Sequence, residues 1–365
     1  MKICQITYSG FGGLGSVIFS LISADQRQNH QWPIGFIGNK PLDDSYQSLS
    51  KKMESEYKAF QFKPRMHISA WIQLFRWLQK LRPEVIICHT LNPILVCKIY
   101  CLFYSIPLIS VAHTSNAVKP LGEKITSFFS ILFSNKIILL TNEYKFQLQK
   151  SYGLFFPDNK VEVIPNGIDL KVFYPAIKKE INQAKYKIGM AGRFSLTKKQ
   201  DLLIQALDHI SILRPDLNIE LHLAGDGEQL EILKLMAKGS INSKKIIFNG
   251  LLDEVDIAPW MRDLDIYVHA TDGETLSTSL LQAMASSLPI IASDVTGVDN
   301  LIGLSKDFGF CVQNEAEYFA EKIIEVLLSM NPGYSPSNIS REYVTNHFNH
   351  DLMLSRYIQA IEKTL

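Results

Sequence analysis

A chain of 365 residues accommodates two domains of about 150 residues each. Its 47% hydrophobic and 20% charged residues suffice for a sizeable core, which excludes long disorder, collagen and a small disulfide scaffold. Thirty-seven Lys and Arg balance 36 Asp and Glu, so the basic surplus of a general nucleic-acid binder is missing. Five cysteines without a CxxC pair indicate buried thiols rather than a disulfide framework or a zinc knuckle.

Lys2 leads straight into a strand-like run at 3–8, and glycines interrupt the apolar stretch, so the start does not read as a signal peptide. Further strands are expected at 34–37, 85–89, 108–113, 137–141 and 161–164, with helices such as 16–28, 68–81 and 92–104 between them. The longest apolar region, 94–112, is broken by Lys98 and Pro107 and reads as helix plus strand rather than a membrane span. The expected compartment is the cytoplasm. A polar, turn-forming stretch at 165–186 marks a joint. The strand rhythm restarts at 187–191 and continues at 219–224, 246–248, 266–269 and 289–293. Two such series point to two parallel-sheet domains with right-handed crossovers. The expected division is 1–170, a linker at 171–186, 187–345, and a C-terminal helix at 346–365 packing back toward the first domain.

Charge is unevenly spread. Up to Glu180 there are 21 basic and 12 acidic residues, a surplus of +9; beyond it there are 16 and 24, a deficit of −8. A basic first half suits an anionic membrane surface or a phosphorylated acceptor, and equally suits attraction between the two halves. Trp71, Phe75 and Trp77 read as exposed on the helix at 68–81. The face bearing Trp71, Leu74, Phe75, Leu78 and Leu81 reads equally as core.

Gly10, Gly12, Gly13 and Gly15 fit G-x-G-x-x-G between a strand and a helix. A dinucleotide site also wants a carboxylate at the end of the second strand, and none stands at 36–40. What remains is a loop that lets backbone N–H groups approach a phosphate, or a tight turn without a ligand. In the second half, Gly192, Arg193 and Lys198 follow a strand; two cations there suit a pyrophosphate. Gly225 sits in the tight turn 224–227. Glu274 precedes Thr275, Leu276, Ser277 and Thr278, a run rich in small hydroxyl residues that opens a helix, which is a natural anion site. Glu274 either caps that helix or holds sugar hydroxyls. Asp263 and Asp265 fit D-x-D but precede their strand, the wrong end for a ligand.

Together these residues resemble the retaining GT-B glycosyltransferases of family 4. Arg193, Lys198 and Asp201 match G-R-[LF]-x-x-x-K-x-x-D. Residues 164–169 match V-I-P-N-G-[VI]-D, and 274–292 match E-G-F-x-x-x-L-L-E-A-M-A-x-x-x-P-V-I-A. The resemblance implies an α/β protein of two Rossmann-like domains facing across a cleft, the GT-B fold. It implies transfer of a hexose or N-acetylhexosamine from a UDP- or GDP-sugar to a glycan or lipid-linked acceptor, with no metal and no other cofactor. Arg193 and Lys198 would neutralise the donor diphosphate, helped by the Gly12 and Gly13 amides. Glu274 with Thr275, Leu276 and Ser277 would hold the sugar, and Thr278 would face a phosphate. Gly250, Leu251 and Leu252 would face the base, Gly192 and Gly225 would admit the nucleotide, and His113 would lie near the reacting sugar. Two departures stand out: Gln282 replaces the second Glu of the motif, which bears on ribose recognition, and Lys199 replaces the usual Gly. Competing readings are a nucleotide-sugar 2-epimerase on the same fold, which lacks a convincing acid/base set here, and a binding-only relative.

Overall fold

The computed structural model describes residues 1–10, 13–62, 67–113, 121–176, 185–330 and 338–365. The chain divides into two compact units: Met1–Asp169 with Asn349–Leu365, and Leu170–Phe348.

The first unit is built on β1 (Ile3–Tyr8), α1 (Gly13–Ala24), β2 (Ile34–Gly38), α2 (Asp44–Lys52), β3 (Tyr57–Gln61), α3 (His67–Leu81), β4 (Val85–Cys88), α4 (Ile94–Tyr104), β5 (Leu108–Ala112), α5 (Leu121–Phe133), β6 (Lys136–Leu139), α6 (Asn142–Tyr152) and β7 (Val161–Val163). Its strands pair in parallel in the order β3-β2-β1-β4-β5-β6-β7. Near-continuous burial of β1, β2 and β4 is what a sheet covered on both faces requires. The order reverses between β1 and β4, so the ligand crevice of this sheet opens beyond their C-terminal ends.

The second unit runs β8 (Tyr186–Ala191), α7 (Gln200–Leu213), β9 (Ile219–Ala224), α8 (Leu230–Gly239), β10 (Ile246–Gly250), α9 (Glu254–Asp263), β11 (Ile266–His269), α10 (Thr278–Ala285), β12 (Ile290–Ser293), α11 (Asp299–Ile302), β13 (Phe310–Val312), α12 (Ala316–Ser329) and α13 (Ile339–His347). The sheet order is β10-β9-β8-β11-β12-β13, again parallel, with its reversal between β8 and β11.

The last helix, α14 (His350–Glu362), belongs to the first unit and packs on α1. Gly167 makes the joint. Its carbonyl accepts from Ser20 Oγ at 2.9 Å, its N–H points at the Met353 sulfur, and Ile168 bridges Asn349. A methyl at Gly167 would lie 2.6 Å from the His350 Cα, so only glycine lets the two backbones meet.

Several expectations need correction. The helix expected at 16–28 starts at Gly13 and stops at Ala24. Asp25 ends it by accepting from the backbone N–H groups of Asn29 and His30 and from the Trp32 indole. Two strands went unpredicted, β3 and β13, both at sheet edges where half-exposed strands lose their apolar pattern. The aromatics read as exposed on α3 are not. Trp77 is buried, Phe75 packs edge-on against Tyr100, and the Trp71 indole donates to Asn92 at 3.1 Å. The core face of that helix is the alternative that holds. Cys4, Cys88, Cys97 and Cys101 are buried free thiols, and Cys311 is partly buried.

Candidate active site

In the second unit the loops beyond the strand ends are tied together by backbone bonds. Gly192 N–H donates to Ala224 O, Phe194 N–H to Asp226 O, and Gly225 N–H to Gly250 O. Gly225 has φ 146°, and a methyl there would overlap the Gly192 carbonyl. Gly192 itself faces open space, as does Gly250, whose φ of 68° turns the chain toward the exposed Leu251 and the half-buried Leu252. On the other side of β8, Lys199 N–H donates to Ala270 O and Asp272 N–H to Thr197 O. Glu274 N–H donates to Thr296 O. The reversal point between β8 and β11 is therefore a rigid rim of backbone.

At that point Lys198, from the loop after β8, meets Glu274, from the loop after β11. The ammonium and the Glu274 Oε1 form a close ion pair, with side chains only 19% and 13% exposed. Burial pulls Lys198 down to about 8. The same carboxylate oxygen lies 2.8 Å from Nε2 of the buried His269. Burial, then the neighbouring Lys198 charge, holds His269 well below its ordinary value, so the ring is neutral and its Nε2–H donates to Glu274. Its Nδ1 is buried without a partner among the described residues. Glu274 does not cap α10: Ser277 does, its hydroxyl accepting from Leu280 N–H. The carboxylate is thus left to its cation and imidazole. Thr275, Leu276 and Thr278 are half-buried along the approach to the helix start, and Gln282 is buried just over one turn inside it.

Arg193 and Lys198 take separate partners. Arg193 is exposed and forms a two-point contact with Glu228 at 3.0 and 3.1 Å. Asp265 accepts from Lys187 N–H and Asp263 pairs with the Lys187 ammonium, which holds the D-x-D carboxylates at the start of β8, the opposite sheet edge from Lys198.

In the first unit Gly13 opens α1 beyond β1, while Gly12 lies outside the described residues. His113 follows β5 and bonds His89, which follows β4. His89 and His269 were missed in the sequence. The available signal was that each stands at the C-terminal end of a strand flanking a reversal point.

Family models and solved structures resemble both units. The domain described as Glycosyltransferase Family 4 matches residues 11–172, and that described as Glycosyl transferases group 1 matches residues 185–329. The D-inositol 3-phosphate glycosyltransferase of Pseudarthrobacter chlorophenolicus is 22% identical, over 54% of this chain and 51% of its own. The UDP-Gal:alpha-D-GlcNAc-diphosphoundecaprenol alpha-1,3-galactosyltransferase of Escherichia coli is 25% identical, over 70% and 69%. The chain thus spans about half the length of the first of these relatives. Among solved structures, HepE of Anabaena in complex with UDP-glucose superimposes with a TM-score of 0.81 at 17% identity over the whole of both chains. Two parallel-sheet α/β units of this kind have the GT-B fold. The chain belongs to the group 1, family 4 glycosyltransferases.

Proposed function

We propose that the protein is a retaining hexosyltransferase that uses a UDP- or GDP-sugar and needs no metal. Its acceptor is a glycan or a lipid-linked sugar, in the synthesis of cell-surface polysaccharide. The observation that carries this is the Lys198–Glu274–His269 cluster at the reversal point of the second sheet. A half-buried cation there suits the charge that develops on a departing diphosphate. A carboxylate pinned from behind by a neutral imidazole suits sugar hydroxyls, which donate to it. Arg193, Gly192, Gly225, Gly250, Leu251 and Leu252 serve the nucleotide from the neighbouring loops, and Gln282 serves the ribose. In the first unit, Gly13 and His113 stand beyond strand ends, where the crevice of that sheet opens. The bond from the anomeric carbon to the phosphate oxygen breaks, and the acceptor oxygen bonds to the same face. Its proton passes to the departing diphosphate. The protein's part is positioning and charge stabilisation.

A panel of UDP, GDP and their sugars in thermal-shift assays should show one nucleotide series stabilising the protein. Transfer of the matching sugar, with the anomeric configuration retained by NMR, completes the test. Turnover should persist in EDTA; full loss restored by Mn²⁺ refutes the metal-free mechanism.

A lipid-linked acceptor would be met at the inner face of the cytoplasmic membrane. No described helix is long and apolar enough to cross a bilayer. Helices α3, α4, α5 and α6 nonetheless leave large apolar side chains in water: Leu102 and Phe103 on α4, Phe129 and Leu132 on α5, and Leu154 and Phe155 in the turn after α6. Residues 61–160 hold twelve Lys and Arg against four Asp and Glu, a charge that fits anionic headgroups. We assign this surface to an anionic bilayer. Each inserted apolar side chain is worth about 1.5–3 kcal/mol. Changing Leu154 and Phe155 together to Asp should therefore weaken co-sedimentation with anionic vesicles at least ~10-fold, while transfer to a soluble acceptor persists. Equal sedimentation with neutral and anionic vesicles removes the electrostatic part.

A further inference from the structure

Three neighbouring strands of the first sheet contribute to one line of hydrogen bonds at its reversal point. β1 holds Gln5, while His89 and His113 directly follow β4 and β5. Gln5 Oε1 lies 2.5 Å from His89 Nε2, and His89 Nδ1 lies 2.9 Å from His113 Nε2. Gln5 and His89 are buried, and the two imidazoles lie 28° from parallel with centroids 5.2 Å apart.

The protons follow from elementary rules. An amide oxygen only accepts, so His89 carries a proton on Nε2. Burial first, and His113 second, hold His89 well below its ordinary value, so the ring is neutral and Nδ1 is a bare lone pair. A lone pair 2.9 Å from His113 Nε2 requires a proton on that nitrogen. We propose that Gln5 and His89 are positioning residues that hold the proton of neutral His113 on Nε2 and its lone pair on Nδ1. The consequence for catalysis rests on the reading of His113 as the group beside the reacting sugar. With this pattern, Nδ1 of neutral His113 accepts from a sugar hydroxyl and does not donate to it. A reversed Gln5 amide would impose the opposite pattern on both rings. The orientation seen leaves Gln5 Nε2 without a partner among the described residues, and the reverse would strand the oxygen instead. The location of the proton therefore separates the two.

The test is long-range proton–nitrogen NMR on the full chain labelled at its nine histidines, with His113→Phe and His89→Phe assigning the two rings. The expected result is a single His113 form, protonated at Nε2 and bare at Nδ1. In Gln5→Met that signal should move toward a mixture of the two forms, with kcat falling about tenfold or more and donor KM within about twofold. A proton on Nδ1 of His113, or a His113 signal unchanged in Gln5→Met, overturns the proposal. If Gln5→Met does not fold, His89→Asn is read in the same way. The expected proton pattern in a chain with no transfer activity overturns the proposed function and leaves this assignment standing. Active transfer with the opposite pattern overturns this assignment alone.

Discussion

Replacing Lys198 with alanine is expected to lower kcat/KM for transfer about 10²-fold or more, the scale of losing one donor to the charge of a transition state. The ammonium sits against Glu274 at the reversal point of the second sheet, where water is largely excluded. Glu274 keeps its bond to His269 in the variant, so the pocket loses its cation without losing the carboxylate's other anchor. The same lysine sets a pH limit. Burial brings it to about 8, so the cation is present below that value and is lost as pH rises through it. Since kcat/KM reports groups of the free enzyme, the profile should fall above about pH 8. Lys198→Arg stays charged throughout and should remove that limb even if its overall rate is lower. Near-normal turnover in Lys198→Ala, or a wild-type profile flat to about pH 9.5, takes Lys198 out of this role.

Gly225→Ala is the second large effect, and it acts on stability first. At φ 146° an L-residue is strained, and the new methyl would overlap the Gly192 carbonyl. Backbone cannot yield as a flexible side chain does, because Gly192 and Gly225 are both held by neighbouring loops. A cost of about 3 kcal/mol is expected, which for a unit of this size lowers Tm by roughly 10 °C. Gly192→Ala is the matched contrast, since its added methyl meets nothing. Its Tm should stay within a degree or two of wild type, while nucleotide affinity falls wherever the backbone must approach a ligand. Equal Tm for Gly225→Ala and wild type would show that the loop relaxes freely.

The class of fold was legible because buried parallel strands are short apolar runs, as at 3–8 and 219–224. The local loop signals led to Lys198 and Glu274, which meet beyond β8 and β11, but not to the pairing of Arg193 with Glu228. Long-range pairings were not legible. Gln5 and His89 are 84 positions apart, and nothing local marks either as half of a pair. His269 sits only five residues before Glu274, yet its role depends on burial, which a lone histidine in an apolar strand does not advertise. The Trp71 and Trp77 reading failed for a related reason: periodicity says which residues share a face, while its partner on the far side decides whether that face is wet. The most exposed apolar residues, Leu154 and Phe155, lie in a turn where no period applies.

The first unit buries the neutral His89 and the second the neutral His269, and this makes both units sensitive to mild acid. Folded, each ring binds its proton well below the ordinary value of 6.5; unfolded, it takes one up near that value. The unfolded chain therefore holds more protons below pH 6.5, and stability is complete above that value and drains away as pH falls. The slope is about 1.4 kcal/mol per pH unit for each histidine, acting well before ordinary carboxylates are protonated. Denaturant midpoints measured from pH 7 to pH 5 should fall steadily in the wild type. His269→Phe and His89→Phe should each flatten roughly half of that fall. An enzyme built this way would tolerate an alkaline shift in its surroundings better than an acidic one as a folded object, yet lose the Lys198 charge in that same alkaline direction. Neutral pH is then where durability and turnover coincide.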